Sequence, residues 1–274
     1  MPGYIEDPLD PGAPEVIPGL LPRHGHLALV AETNVGKTLL ALEIIESVLT
    51  GRPLWGQLTP TETYQRVAYV VGEYDDNYVK QLWVKLEASA PPHSIRLLPR
   101  RTLVSQGQVH SEHVRTYKEE CAGCQLVIFD PFSAFVIGPD VENDASLTRA
   151  TINTMLEIAG GHSVIIPAHM GKPYYLDTAK DYVQRGSYAA RGSSSIEDTP
   201  MACFYFTQSR SEASPDALFY LKNRKTKFGA PPGYFLLRDP DTLRHKLINV
   251  RSSAGKRGMA SRWGSENVNP GKDI

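Results

Sequence analysis

The chain has 274 residues, 41% of them hydrophobic and 22% charged, with a formal net charge of −1. That is globular composition, enough for one large or two small domains, and the even charge balance excludes a chain that advertises nucleic acid over its whole surface. No apolar run reaches the roughly 20 residues of a membrane-spanning helix, and the first thirty residues lack a basic-then-apolar leader pattern; a cytoplasmic protein with no membrane partner is expected. Three cysteines fit a reducing compartment. Cys121 and Cys124 form a single CxxC with Cys203 far off, which is short of a four-ligand zinc site and reads as plain thiols at a helix end.

Six prolines fall between Met1 and Pro22, so the start reads as an extended arm, over residues 1–15. Ile17, Leu20 and Leu21 are expected to pack on the main domain, residues 16–250. His26 to Val30 reads as a short buried strand. From Thr38 a helix is expected, with Ala41, Ile44, Ile45 and Val48 on one face and Glu43, Glu46 and Ser47 on the other, ended by Gly51 and Pro53. Arg66 to Glu73 is a second apolar strand, followed by a helix from Asp76 to Leu86, a short strand from Ile95 to Pro99 and a polar helix from His110 to Glu120. Gln125 to Asp130 is a third strand, and Pro131 to Asp144 a loop. Leu147 to Ala159 is amphipathic, with Ile152, Met155, Leu156 and Ala159 spaced for one helix face. Ser163 to His169 is again apolar. Met170 to Ser187 is long, polar and without periodicity. Strands follow at Met201 to Gln208 and Ala217 to Lys222, then a dense cationic turn from Lys222 to Gly229 and a closing hairpin strand from Pro231 to Leu237. Repeated strand–helix alternation predicts an α/β fold with a mainly parallel sheet and antiparallel C-terminal strands. From Lys222 to Arg262 eleven basic residues face only Asp239 and Asp241, which points to a polyanion partner, or, beyond Val250, to a solvated tail over residues 251–274.

The stretch that carries chemistry joins the first strand to the first helix: Ala31, Glu32, Thr33, Asn34, Val35, Gly36, Lys37 and Thr38. This is the phosphate-binding loop pattern with alanine in place of its first glycine. In such a loop the backbone N–H groups and the helix N-terminus surround phosphates, the lysine brings charge to them, and the hydroxyl reaches Mg²⁺. Gly36 admits a close backbone approach; Ala31 resists the positive φ a glycine would tolerate. Two later strands end in carboxylates where ligands bind in parallel sheets. Asp130 suits a metal. Glu73 ends the other, and Asp75 and Asp76 just beyond it leave open which acid serves the site. His169 ends the next strand. In the loop beyond it, Lys172, Lys180 and Arg185 alternate with Tyr174, Tyr175 and Tyr182, as suits single-stranded nucleic acid, where bases stack and phosphates pair; a plain surface loop is the alternative.

In order and spacing, the segments VIPGLLPRHG, AETNVGKT, VVGE, LVIFD, IIPAHMGKP, ARGSS and KNR before Phe228-Gly229 resemble the RecA-like ATPases, most closely the RepA-type hexameric replicative helicases of plasmids and phages, relatives of the DnaB motor. The resemblance runs from about Val16 to Leu237. It implies a RecA-like three-layer sandwich that binds ATP and Mg²⁺. It also implies Glu73 as general base, Thr38 and Asp130 at the metal, and His169 as sensor of the γ-phosphate. Arg191, Lys222 and Arg224 would reach a neighbouring subunit's nucleotide, with Lys225 or Lys227 as alternatives. The implied activity is an ATP-driven, DNA-replication motor on single-stranded DNA, built as a homo-oligomeric, hexameric ring. Two other activities fit the same core: a recombination ATPase that forms filaments, and a KaiC-like regulatory ATPase without DNA binding.

Overall fold

Runs such as LVIFD and VAYVV are apolar on both faces, so they must lie inside a sheet covered on both sides. The computed structural model describes residues 14–138, 144–170, 174–175, 182–183, 195–208, 217–227, 231 and 233–251. In chain order the elements are β1 (Glu15–Ile17), β2 (Leu21–Pro22), β3 (Gly25–Ala31), α1 (Lys37–Thr50), β4 (Val67–Val71), α2 (Asp76–Lys85), β5 (Ile95–Pro99), β6 (Val104–Ser105), β7 (Gln108–Val109), α3 (Ser111–Glu120), β8 (Leu126–Asp130), a 3₁₀ turn (Phe132–Phe135), β9 (Val136–Ile137), α4 (Ala145–Ile158), β10 (Ser163–His169), β11 (Tyr174–Tyr175), β12 (Tyr182–Val183), α5 (Ser195–Asp198), β13 (Ala202–Gln208), β14 (Ala217–Thr226), β15 (Gly233–Arg238) and β16 (His245–Arg251).

Among the described residues the main sheet has nine strands, in the order β16-β15-β14-β13-β3-β10-β8-β4-β5. The strands from β13 to β5 run parallel, and β14, β15 and β16 add on antiparallel. This is the expected RecA-like α/β architecture. Side chains alternate between two cores. Leu27, Leu29, Val67, Tyr69, Leu126 and Ile128 face one core with Ile44, Ile45 and Val48 of α1 and Val79 of α2. Ala28, Val30, Ala68, Val70, Val127 and Phe129 face the other, with Tyr117 of α3 and Ile152 and Met155 of α4. A fully buried aliphatic side chain of this kind contributes about 1.5–3 kcal/mol. Val16, Ile17, Leu20 and Leu21 of the β1–β2 hairpin are also buried in the first core.

Three local readings change. Residues 222–226 are not a turn: β14 continues to Thr226, because β13 offers partners down to Ala202, which sits opposite Thr226. A further strand, β16, pairs along β15 from His245 to Arg251. The expected polar face of α1 is buried too: Glu43, Glu46 and Ser47 are as covered as Ile44. The β15–β16 hairpin lies across that face and supplies the partners. Arg244 makes a two-pronged bond to Glu46 (2.8 and 3.1 Å), and His245 binds Glu43 through its ring Nδ1 (2.7 Å) and its backbone N–H (2.6 Å). Arg244, expected to serve a polyanion, is therefore paired within the chain. No described helix is long and apolar enough to cross a membrane. Residues 1–13 of the expected arm and the tail over residues 252–274 lie outside the described residues.

Candidate active site

Four neighbouring strands end level with one another. Ala31, the last residue of β3, pairs with His169, the last of β10; Val71 at the end of β4 pairs with Asp130 at the end of β8. The loop after β3 and the side chains at the other three ends therefore converge above the centre of the sheet, where an open parallel sheet binds ligands.

Ala31 belongs to the strand, so no positive φ is asked of it, and the departure from glycine is accommodated. The turn is made instead by Asn34 (φ 65°) and Gly36 (φ 108°). Helix α1 starts at Lys37 with no side-chain cap and no acidic residue in its first turn. Its leading N–H groups thus lack side-chain partners and face the loop, as an anion site requires.

The Lys37 ammonium lies 3.1 Å from the carbonyl oxygen of Glu32, 3.5 Å from that of Ala31 and 3.2 Å from His169 Nδ1. Burial pushes its pKa down, while Asp130 and Glu73 pull it back up. A buried cation held mainly by neutral acceptors is short of counter-charge, and phosphate would supply it. His169 Nε2 in turn meets Glu73 Oε1 at 2.8 Å, so lysine, imidazole and carboxylate form one chain of contacts. With Nδ1 accepting from the ammonium, Nε2 is the ring nitrogen left to donate.

Asp130 is the buried member. Its Oδ2 accepts from the Thr38 hydroxyl (2.7 Å) and from the Tyr69 phenol (2.5 Å). Burial raises its pKa; the two hydroxyls and Lys37 lower it again. The same burial, together with Asp130, raises the Tyr69 phenol well above its ordinary value, so this phenol stays a donor. Among the described residues no group of three or more His, Cys, Asp or Glu side chains could cage a metal. One carboxylate and one threonine beside a phosphate loop fit instead an Mg²⁺ that arrives with phosphates and keeps most of its waters.

Glu73 stands just beyond β4 because Gly72 allows two strand ends to touch: a Cβ there would lie 2.6 Å from the Asp130 carbonyl oxygen, to which the Gly72 N–H donates at 2.7 Å. Beside Glu73 opens a cleft of about 540 Å³ lined by Gly72, Tyr74, Asp75, Asn77, Pro99 and Arg100. The neighbouring acids have other occupations. Asp75 caps α2, accepting from the Tyr78 N–H at 2.8 Å, and Asp76 is the first residue of that helix.

The late cations are arranged differently. Lys222 is exposed on β14. Arg224 lies 3.7 Å from the buried carboxylate of Glu197, which also receives the Tyr205 hydroxyl. Lys225 donates to the Asp198 carbonyl oxygen, and Lys227 is exposed. Lys222 sits opposite Tyr205, itself beside Val30, so β14 leads from there away from the phosphate-loop end of the sheet. Lys172, Lys180, Arg185 and Arg191 lie outside the described residues. Cys121, Cys124 and Cys203 are buried thiols whose pKa values are raised by burial.

Two contributors were not placed at the site from the sequence: Tyr69 had no role there, and Arg238 was read only as part of the basic run for a polyanion. A tyrosine inside the dry strand VAYVV needs a partner for its hydroxyl, and that need signals Tyr69. Arg238 donates through Nη2 to the Val35 carbonyl oxygen at 2.6 Å, across 203 residues, and no local pattern predicts such a contact.

The sequence matches the model of the AAA domain over residues 7–174, a span that contains the phosphate loop, Glu73, Asp130 and His169. No curated protein matches the chain. Among solved structures, a KaiC-like protein from the hyperthermophilic archaeon Pyrococcus horikoshii OT3 aligns with a TM-score of 0.55, covering 86% of this chain and 98% of its own, at 12% identity. At that identity the likeness shows the fold alone. More than half of the chain lies within the matched domain: the protein belongs to the AAA domain family and is a RecA-like P-loop ATPase.

Proposed function

We propose that the protein is an ATP-driven motor on single-stranded DNA, working as a hexameric ring with ATP held at subunit boundaries. One observation carries the hydrolytic part of this reading. The Lys37–His169–Glu73 chain stands against the Thr38–Asp130–Tyr69 cluster over a single loop. Loop N–H groups and the start of α1 bind the phosphates. Lys37 exchanges its carbonyl and imidazole acceptors for phosphate oxygens. Thr38 and Asp130 would hold Mg²⁺, which would supply positive charge beside the phosphates. Tyr69 keeps the Asp130 carboxylate aimed. Glu73 takes a proton from water as its oxygen attacks the γ-phosphorus and the bond to the bridging oxygen breaks, leaving ADP and phosphate. His169 touches both Lys37 and Glu73, so it senses whether the γ-phosphate has drawn the lysine away.

The finer parts of the reading rest on the resemblance of motif order and spacing to ring helicases. Lys222, Arg224 and Arg191 serve the neighbouring subunit's nucleotide, and Lys172, Lys180 and Arg185 hold DNA in the loop beyond His169. A trans cation of this kind is worth about 10³–10⁵ in rate. A second reading, a KaiC-like regulatory ATPase without DNA, draws support from Arg224, whose guanidinium is already beside Glu197 of its own chain.

Steady-state ATP hydrolysis with and without single-stranded DNA separates the two, with Lys37→Ala protein as the inactive control and electron microscopy of the assembly alongside. Stimulated hydrolysis by closed rings supports the motor. Unstimulated hydrolysis by wild-type protein supports the regulatory reading, and helical filaments on DNA support a recombination ATPase. Turnover by Lys37→Ala protein at the wild-type rate would overturn the site itself.

A further inference from the structure

Arg238, the last residue of β15, is tied at three points. Its Nη2 donates to the Val35 carbonyl oxygen at 2.6 Å, its Nε donates to His245 Nε2 at 3.1 Å, and its guanidinium lies 3.9 Å over the Phe219 ring. His245 is buried and anchored on the far side by Glu43, with ring Nδ1 at 2.7 Å and backbone N–H at 2.6 Å. Trp55 adds a third donor to Glu43 at 3.3 Å. Glu43 belongs to α1, the helix that begins at the phosphate loop. The contacts therefore form a closed circuit: from the loop to β15, to β16, to α1, and back along the helix to the loop.

This circuit acts on one peptide group. The Val35–Gly36 peptide is planar and trans, so its C=O and N–H point in opposite directions. Drawing the Val35 carbonyl toward Arg238 turns the Gly36 N–H to the other side of the loop. The space Gly36 leaves is itself used: a Cβ there would lie 2.4 Å from Arg238 Nη2. Burial of the guanidinium lowers its pKa to about 10, and the Glu43 carboxylate holds it up.

We propose that Arg238 is a positioning residue for nucleotide phosphate, fixing the Val35–Gly36 peptide so that the Gly36 N–H is presented to the ligand, with His245 and Glu43 holding the guanidinium in place. The proposal rests on the reading of residues 31–38 as a phosphate loop and adds a residue from the far end of the chain to it. It differs from the trans role of the other late cations, since Arg238 serves the loop of its own chain.

The test uses the full-length protein, with Mg·ATP and inorganic pyrophosphate as probes. Arg238→Met keeps length and the contact with Phe219 but removes the donors. It is expected to raise the dissociation constants of both probes by about tenfold, the worth of one hydrogen bond to a charged group. KM carries the change, while kcat stays within about twofold. Arg238→Lys, which keeps a donor for the Val35 carbonyl, recovers part of the affinity. His245→Phe packs between Phe206 and Phe219 but drops both polar contacts, and weakens the two probes in the same proportion as each other; it decides the matter if Arg238→Met fails to fold. Unchanged dissociation constants in a folded Arg238→Met or His245→Phe protein would overturn the proposal. Wild-type protein that binds neither probe would overturn the phosphate-loop reading instead.

Discussion

Glu73, Asp75 and Asp130 are three carboxylates within one region, and their surroundings separate them. Asp130 is buried, with two hydroxyl donors on one oxygen. Asp75 uses its oxygen on a helix N-terminus. Glu73 is half-exposed, borders the cleft, and is held only at Oε1 by a histidine ring that Lys37 also touches. A base for water needs access to solvent and a partner that can let go, and Glu73 has both. Glu73→Gln is therefore expected to leave Mg·ATP binding intact and to cut hydrolysis by about 10²–10⁴. Asp75→Asn should cost about 1 kcal/mol or less of stability through the cap and leave hydrolysis nearly unchanged. Parallel measurement of nucleotide binding and turnover in both proteins checks the assignment. If Asp75→Asn is the variant that binds without turning over, the base lies two residues further on.

At the scale of elements, α1 is the helix on which the site is mounted, and the antiparallel hairpin β15–β16 is what fixes it. Helix α1 carries Lys37 and Thr38 at its start and Glu43 and Glu46 one to three turns later. Glu46 is buried and accepts from Arg244 twice and from the Ser89 N–H at 2.9 Å, with Arg52 3.6 Å away. Arg244 is half-exposed, so water screens part of the pair. Removing the arginine alone leaves a buried carboxylate with fewer donors, which costs about 1–3 kcal/mol. Arg244→Met should lower stability by that amount in chemical denaturation. Replacing both residues, Glu46→Met with Arg244→Met, should restore most of the loss, because no buried charge remains without a partner. A double variant less stable than Arg244→Met alone would mean that the hairpin holds α1 by the ion pair rather than by packing.

Across the whole molecule, the described chain collects Lys37, Thr38, Asp130, Glu73, His169 and Arg238 around one loop, while Lys222 on β14 and Lys227 just past its end are exposed, and that strand leads away from the loop. On the proposed ring reading, cations so placed would serve a nucleotide across a boundary between subunits. Mixing offers the check. Lys37→Ala protein lacks its own site; Lys222→Ala/Arg224→Ala protein lacks the cations for its neighbour. Each alone is expected to assemble and be nearly inactive, and mixed rings are expected to regain hydrolysis wherever an intact loop meets intact cations. Mixed rings that show no recovery at any ratio, together with normal hydrolysis by the Lys222→Ala/Arg224→Ala protein alone, would sink the shared site.

Local sequence patterns gave the contents of the central strands and the residues at their ends. An apolar run that stops at Asp130, another that stops before Glu73 and a third that stops at His169 are local patterns, and local patterns fix local structure. The loop was legible for the same reason, since strand, glycine, lysine and helix are consecutive. Tertiary structure decided what depends on contacts between distant segments. Nothing in the spacing of Glu43, Glu46 and Ser47 says that a hairpin two hundred residues later will cover them, because a helix face is polar or buried according to what packs on it. The cationic run after Leu221 became a strand because β13 was there to pair with it, and strand propensity yields readily to such context. Tyr69 on Asp130 and Arg238 on Val35 are the clearest cases. Each closes a hydrogen bond between residues 61 and 203 positions apart, and such a bond exists only once the sheet has brought the two ends together.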